Sequence, residues 1–369
     1  MSIATASDSE QLALDVGELL IVGFDGYELS PGVQEALQAK QIAGTILFSR
    51  NIQSIEQVAA LNEATYEAAG SDRTPFICVD QEGGRVQRMR DPFVRMPPMS
   101  LVGQAGDLDL AAKIGEDIAS ELTTVGFNLD FAPCADVFTN PENTVIGDRA
   151  FGTDPETVGR FAGAVMLGLN MGGVVPCAKH FPGHGDTLLD SHEALPTVDQ
   201  PLERLQQVEL RPFELLIRGQ VPMIMTAHVM VPAVDAQWPA TLSPQWLTRI
   251  LRQQMKYGGV IISDDLEMRA VADRWSIEEL TERALHAGVD MFLICQSEAK
   301  WRACHATLMA LGQRSDRERD LIAMAAGRVR ALRRDWLRRT GSEEPRALLG
   351  LPEVQARVDR VRELAGARA

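Results

Sequence analysis

The chain has five cysteines, an odd number, and no Cys-x-x-Cys pair among its 369 residues. That argues against both a disulfide framework and a zinc knuckle. Cys78, Cys134, Cys177 and Cys295 sit in or beside apolar runs, the pattern of buried free thiols in a reducing compartment. No basic residue precedes Lys40 and no apolar h-region opens the sequence. A secretory signal is therefore not expected, and the reading is cytoplasmic.

A membrane-length hydrophobic run is also missing. The nearest approach, 161–178, is interrupted by Gly163, Gly168, Asn170, Gly172, Gly173 and Pro176. It reads as helix, turn and strand, so no membrane association is expected. No Ser/Gly linker or low-complexity segment divides the chain. A Gly-x-Gly-x-x-Gly turn after the first apolar strand is absent too, which weakens the case for a doubly wound sheet.

Positive charge is scarce. The net charge of −15 disfavours nucleic acid or an anionic membrane as a partner. The imbalance is uneven, because residues 314–369 hold 14 Arg against 9 acidic residues. Within that segment Leu321, Ala325, Val329, Leu332 and Trp336 recur at helical spacing. A helix packed on an acidic body explains this better than a nucleic-acid-binding tail.

What the chain does have is an alternation of short apolar runs and amphipathic stretches. Strands are expected at 18–24, 42–48, 75–80, 127–132, 175–181, 221–228, 259–264 and 291–296. Helical patterns lie between them, near 31–40, 54–69, 107–125, 155–171, 201–219, 243–257 and 276–287, with another after 297. Eight near-continuous apolar strands, each followed by a helix, predict an α/β fold of the (β/α)₈ TIM-barrel type. The expected organisation is a catalytic barrel over 1–313 with a helical extension, 314–369, packed on it. A monomer is expected. Two long connections, 81–106 and 133–154, are rich in Arg, Asp, Pro and Gly, and loops of that length in a compact domain are usually functional.

Polar residues gather at the carboxyl ends of the expected strands: Asp80, Asp136, Lys179, His180, His228, Asp264 and Asp265. A barrel brings these ends to one mouth. Unpaired buried charge is costly, so such convergence points to an active site. Three of the six histidines and two aspartates, Asp186 and Asp190, fall within residues 179–192, on a strand that runs into a Gly/Pro-shaped loop. That density of proton carriers points to acid–base chemistry. Asp264 and Asp265 must face opposite ways along a strand, and periodicity alone does not say which faces the mouth.

The motifs Lys179-His-Phe-Pro-Gly-His-Gly185, Asp190-Ser-His192, Val79-Asp-Gln-Glu-Gly-Gly-Arg-Val-Gln-Arg88, Gly147-Asp-Arg-Ala-Phe-Gly152 and Ser263-Asp-Asp-Leu-Glu-Met268 resemble those of glycoside hydrolase family 3. The similarity is to its single-domain bacterial β-N-acetylhexosaminidases of cell-wall recycling, and it runs from about residue 15 to 300. The resemblance implies a barrel, agreeing with the strand count. It implies Asp264 as nucleophile and His192 as acid/base, paired with Asp190. It also implies Asp80, Arg88, Arg149, Lys179 and His180 as sugar-binding residues, with no cofactor and no metal. The activity implied is a retaining exo-β-N-acetylglucosaminidase acting through a covalent glycosyl-aspartate. Its carbohydrate substrate would be an N-acetylglucosamine-containing muropeptide from peptidoglycan.

The roles are chemically coherent. An imidazole can donate a proton and then accept one near neutrality, and Asp190 can orient it. Lys179 and the arginines would favour the charged form of Asp264. Glycines 183 and 185 would let the acid/base loop open and close. His184 is as suited to shaping the loop as to touching substrate, and Asp265 and Glu267 read as structural. A phosphorylase of the same family, with phosphate as acceptor, is the alternative activity. A metal-dependent barrel hydrolase built on His180, His184, Asp186, Asp190 and His192 is disfavoured, because Pro182 and Gly183 preclude a two-histidine helix. A sugar-binding protein without catalysis would have no use for Asp264 together with the Asp190–His192 pair.

Overall fold

Eight short parallel strands close into a ring in the computed structural model, which describes residues 6–187 and 195–367. They are β1 (Leu20–Val22), β2 (Gly44–Ile46), β3 (Phe76–Val79), β4 (Leu129–Asp130), β5 (Val175–Phe181), β6 (Met223–Thr226), β7 (Val260–Ile262) and β8 (Phe292–Ile294). Each pairs with its sequence neighbours, and β1 returns to β8 with Leu20 opposite Phe292. A parallel bridge between Ile262 and Met291 closes the remaining gap. All eight lie inside the spans read from the sequence. Their residues are buried on both faces, as a helix-covered parallel sheet requires, so continuous apolar runs rather than alternation marked them.

The helices begin where the chain supplies caps. Ser30, Ser54, Asp107, Asp154, Ser276 and Ser297 each accept a backbone N–H from the first turn of the helix they precede, and Pro31 and Pro155 open two of those helices. The expected helix 201–219 is divided into Leu202–Gln207 and Arg211–Arg218. Pro212 removes a backbone donor there and fits the start of a helix better than its middle.

The basic C-terminal segment packs across the barrel's amino end. Its helix Asp316–Trp336 buries Ile322, Ala325, Ala326, Val329 and Leu332 against the body. Arg333 pairs with Glu18, Arg330 with Asp15 at 2.6 Å, and Arg328 with Asp290 at 2.8 Å. The surplus arginines therefore meet acidic partners on the body. A last helix, Pro352–Gly366, lies against the helices Met99–Ala105 and Leu108–Thr124, where Arg357 grips Asp117. Among the described residues, no helix is long and apolar enough to cross a membrane.

Candidate active site

At the carboxyl end of the barrel lies a pocket of about 270 Å³. That is at the small end of ligand sites, which run from roughly 300 Å³ upward, and suits one sugar ring better than a chain. Its charged lining comes from the ends of β3, β5 and β7 and from two loops. Beyond β3 the chain forms a small hairpin, Gln81–Gly83 with Val86–Gln87, which brings Glu82 and Arg88 to the mouth. The turn Gly147–Arg149 presents Arg149. The register between β5 and β6 shifts between Ala178 and Phe181, and the consecutive Lys179 and His180 both reach the pocket.

Lys179 is buried and donates to Asp80 at 2.8 Å and to Glu82 at 2.6 Å. Arg149 forms a two-bond fork with the same Glu82, both bonds 2.8 Å. Arg88 reaches the second oxygen of Asp80 at 3.3 Å and lies over the Phe48 ring. Burial would raise the Glu82 carboxyl, but the charges of Arg149 and Lys179 outweigh it and hold it well below the ordinary carboxylate range. Asp80 is lowered in the same way, with burial opposed by Lys179 and Arg88. Burial would lower Lys179, yet Asp80 and Glu82 carry it above its usual value. These groups stay charged because they hold one another.

A second unit centres on Asp136, which is fully buried. It accepts from His180 Nδ1 at 2.7 Å, from the His184 backbone N–H at 2.6 Å and from the Cys134 thiol at 3.2 Å. With Nδ1 donating to Asp136, Nε2 of His180 is left to accept from Arg149, 3.3 Å away. His184 lines the pocket and engages Thr187 through Nδ1. Burial, reinforced by His180, pushes its imidazole down to about 4, so it is neutral at working pH. Cys134, Asp136 and His180 could in principle ligate a metal, their ligand atoms lying within 4.8 Å of one another. However, burial drives the Cys134 thiol well above its ordinary value, and Asp136 is already filled by four donors, those three and the His180 backbone N–H at 3.4 Å. The set fits a hydrogen-bonded support for His180 better than a metal centre. Among the described residues, His184 and Asp186 do not join it.

Asp264 follows β7 and lines the pocket half-buried. One of its oxygens accepts the Asp265 backbone N–H at 2.8 Å. It makes no ion pair among the described residues. The sequence led us to expect Lys179 and the arginines beside Asp264. Lys179, Arg88 and Arg149 are instead engaged by Asp80 and Glu82, which leaves the Asp264 carboxylate open to the pocket. Asp265 points its carboxyl at the backbone N–H groups of Glu267 and Cys295, 3.0 and 3.2 Å away, and burial pushes it up to about 7. Glu267 accepts from the backbone of Gln296 and Ser297 at the start of the next helix. Both tie the loop after β7 to the segment that follows β8, and Asp265 also lines the pocket.

His228 is not part of the pocket lining. It is fully buried, with Nδ1 on Thr241 and Nε2 on the Asp265 carbonyl, and so supports the turn that carries Asp264. Glycines 183 and 185, expected to let the loop open and close, are also required by the local geometry. Gly183 has φ +131°, and a Cβ on Gly185 would stand 1.8 Å from the Val137 carbonyl. Asp190 and His192 lie outside the described residues.

Three supporting groups escaped the sequence reading. Glu82 was within a quoted motif, two positions from Asp80, a spacing that places both on one side of an extended chain. Asp136 was noted at a strand end but given no role. Asp130, the last residue of β4, gave no signal. It lies fully buried beneath the network, accepts the Gln81 N–H at 2.9 Å, and is pushed up to about 8 by burial.

A closed parallel barrel with a small polar pocket at its carboxyl mouth is the build of a barrel enzyme. A model of the glycosyl hydrolase family 3 N-terminal domain matches residues 11–332, and the chain belongs to that family. It is therefore a glycoside hydrolase. A β-hexosaminidase from Chromobacterium violaceum is 39% identical over 354 residues, covering 94% of each chain. One from Xanthomonas oryzae is 41% identical, over 76% of this chain and 84% of its own. Among solved structures, a family 3 β-N-acetylglucosaminidase from Paenibacillus superposes with a TM-score of 0.88 at 36% identity. That match covers 96% of this chain and 68% of the other. The NagZ protein of Neisseria gonorrhoeae, in complex with N-trifluoroacetyl-D-glucosamine, gives 0.74 at 33% identity, over 94% and 97%.

Proposed function

We propose that the protein is a retaining exo-β-N-acetylglucosaminidase that removes a terminal, non-reducing, β-linked N-acetylglucosamine. Its natural substrates in this reading are muropeptide fragments in the cytoplasm, and it acts as a monomer. Residues 1–313 form the catalytic barrel and 314–369 brace it. The observation that carries the proposal is the state of Asp264. Neither Asp264 nor Asp265 has an ion-pair partner among the described residues, but Asp265 is tied to the backbone of Glu267 and Cys295, which leaves Asp264 the more open, while Asp80 and Glu82 are engaged by Lys179, Arg88 and Arg149.

An open carboxylate beneath a sugar-sized pocket is what nucleophilic attack on an anomeric carbon needs. Asp264 forms a bond to that carbon as the glycosidic bond breaks, and His192, oriented by Asp190, gives its proton to the departing oxygen. In the second half His192 takes a proton from water. The water oxygen then displaces Asp264, restoring the β configuration and a free carboxylate. Asp80, Arg88, Arg149, Lys179 and His180 hold the sugar hydroxyls. The names of the β-hexosaminidase relatives and the N-trifluoroacetyl-D-glucosamine held by the gonococcal protein support an N-acetylated hexosamine.

Turnover of 4-nitrophenyl β-N-acetylglucosaminide against the matching glucoside tests the sugar, and NMR of the first-formed anomer tests the stereochemistry. The proposal expects strong preference for the former and a β product. Equal rates or an α product would overturn it.

A further inference from the structure

Arg88 is the least anchored of the cations that line the pocket. Arg149 has two bonds to Glu82, one to the Val145 carbonyl and one to His180. Lys179 is buried between Asp80 and Glu82. Arg85 is bonded to Asp148 and to three carbonyls of the 144–146 loop. Arg88 has one bond, to Asp80 at 3.3 Å, longer than most N–H···O bonds, and a Phe48 ring whose centroid is 5.7 Å away. Its Nε is buried without a hydrogen-bond partner among the described residues. A long side chain held so weakly takes its place from the backbone that carries it.

That backbone is gripped by one buried side chain. Gln81, at the start of the hairpin, donates through Nε2 to the Met89 carbonyl at 3.1 Å and accepts the Met89 N–H through Oε1 at 3.0 Å. One amide thus takes both backbone groups of the residue after Arg88, as two antiparallel strands take each other's. Gln81 is itself fixed. It is only 2% exposed, and its backbone N–H donates to Asp130, at the end of β4, at 2.9 Å. From the other strand of the hairpin, Gln87 adds a second donor to the Met89 carbonyl at 2.9 Å.

The chemistry of the grip calls for glutamine. A side-chain amide offers a donor and an acceptor from one planar group, and asparagine is a methylene shorter. An ionised glutamate would keep the bond from the Met89 N–H but set an acceptor against the carbonyl. Gln81 also stands between Asp80 and Glu82 in an extended stretch, so alternation turns it away from the pocket that its two neighbours line.

We propose that Gln81 is a positioning residue for sugar binding: by holding the Met89 backbone it sets the Arg88 guanidinium against Asp80, where the two meet the sugar hydroxyls. The inference rests on the proposed glycosidase reading, in which Asp80 and Arg88 bind the sugar. It gives a part in recognition to a side chain that lies outside the pocket and acts through Arg88.

The test is a double-mutant cycle of Gln81→Met and Arg88→Met, read by the kinetics of 4-nitrophenyl β-N-acetylglucosaminide. Competitive inhibition by free N-acetylglucosamine measures binding alone. Methionine keeps the length of glutamine and removes both bonds to Met89. Gln81→Met raises KM and Ki about tenfold, the lower end of what a hydrogen bond to a charged group contributes, while kcat stays within about threefold. In the Arg88→Met background the same substitution changes KM and Ki by no more than about twofold, because the group it positioned is gone.

Equal rises in both backgrounds, or unchanged KM and Ki in Gln81→Met, overturn the inference. A fall in kcat at constant KM does so too. If Gln81→Met melts below the assay temperature, Gln81→Asn takes its place in the cycle, since its amide stays in the same space but falls short of Met89. A wild type that neither cleaves the glycoside nor binds N-acetylglucosamine ends the glycosidase reading and this inference with it. An active wild type with an additive cycle overturns the inference alone.

Discussion

Glu82 and Arg149 meet in a two-bond fork inside the mouth, Nε to Oε2 and Nη2 to Oε1, each 2.8 Å. The pair brings together a hairpin after the third strand and a loop nearly seventy residues further on, with Lys179 held on the same carboxylate. Replacing Glu82 by Gln leaves two buried cations undercompensated. The expected cost is about 3–5 kcal/mol of stability, as for breaking a buried ion pair from one side. A rise in KM should accompany it, because Lys179 and Arg149 lose their set positions. Denaturant midpoints and steady-state kinetics measure the two effects. A lower midpoint with unchanged KM would make Glu82 a purely structural residue.

Asp136→Asn tests the support of His180. An amide can present N–H to His180 Nδ1 where a carboxylate accepted, so the ring loses the arrangement that leaves Nε2 facing Arg149. The expected fall in kcat/KM is on the order of 100-fold. That is smaller than the ~10⁴-fold loss seen when a catalytic histidine is held in the wrong tautomer, because His180 holds substrate and does not transfer the proton. Circular dichroism and thermal melting should remain close to wild type. An unaltered kcat/KM would remove the Asp136–His180 pair from substrate binding.

The barrel was legible in the sequence because a strand covered on both faces must be apolar throughout. Runs such as Val260–Ile262 and Phe292–Ile294 stand out from the amphipathic helices around them. The partnerships inside the mouth were not legible. Glu82 meets Lys179 and Arg149 across 97 and 67 positions, and no local pattern encodes which cation a buried carboxylate will hold. His228 stands at a strand end like the pocket residues, but the turn after β7 sets the Asp265 carbonyl against its Nε2, which the sequence does not reveal. The hairpin at 81–87 escaped notice because its strands are only three and two residues long.

Glu121 offers a test by pH. Burial raises its carboxyl to about 7 from an ordinary 4.5, so the folded protein keeps a proton there that the unfolded chain releases. Its contribution is therefore fully present below about pH 4.5 and is lost as pH rises toward 7, by up to about 3 kcal/mol. His184 shifts in the opposite sense, so the wild-type curve alone mixes terms. The difference in unfolding free energy between wild type and Glu121→Gln isolates the group. That difference should fall across pH 4.5–7 in favour of the variant. A flat difference would show that Glu121 titrates normally.

His192 is the proposed proton donor, and its removal should depend on the leaving group. His192→Ala should slow substrates with poor leaving groups by several powers of ten, whereas activated aryl glycosides, which need little protonation, should lose far less. A Brønsted series of aryl N-acetylglucosaminides reads this as a steeper slope in the variant. An equal loss across the series would assign the proton to another group.

The identity of the nucleophile is the point on which the mechanism turns, and trapping addresses it directly. A fluorinated N-acetylglucosaminide analogue that forms the glycosyl-enzyme faster than water releases it should label one carboxylate, to be located by peptide mass spectrometry. The account predicts a single labelled peptide with the sugar on Asp264, and no label in Asp264→Ala. A sugar found on Asp265, Asp80 or Glu82 would contradict it.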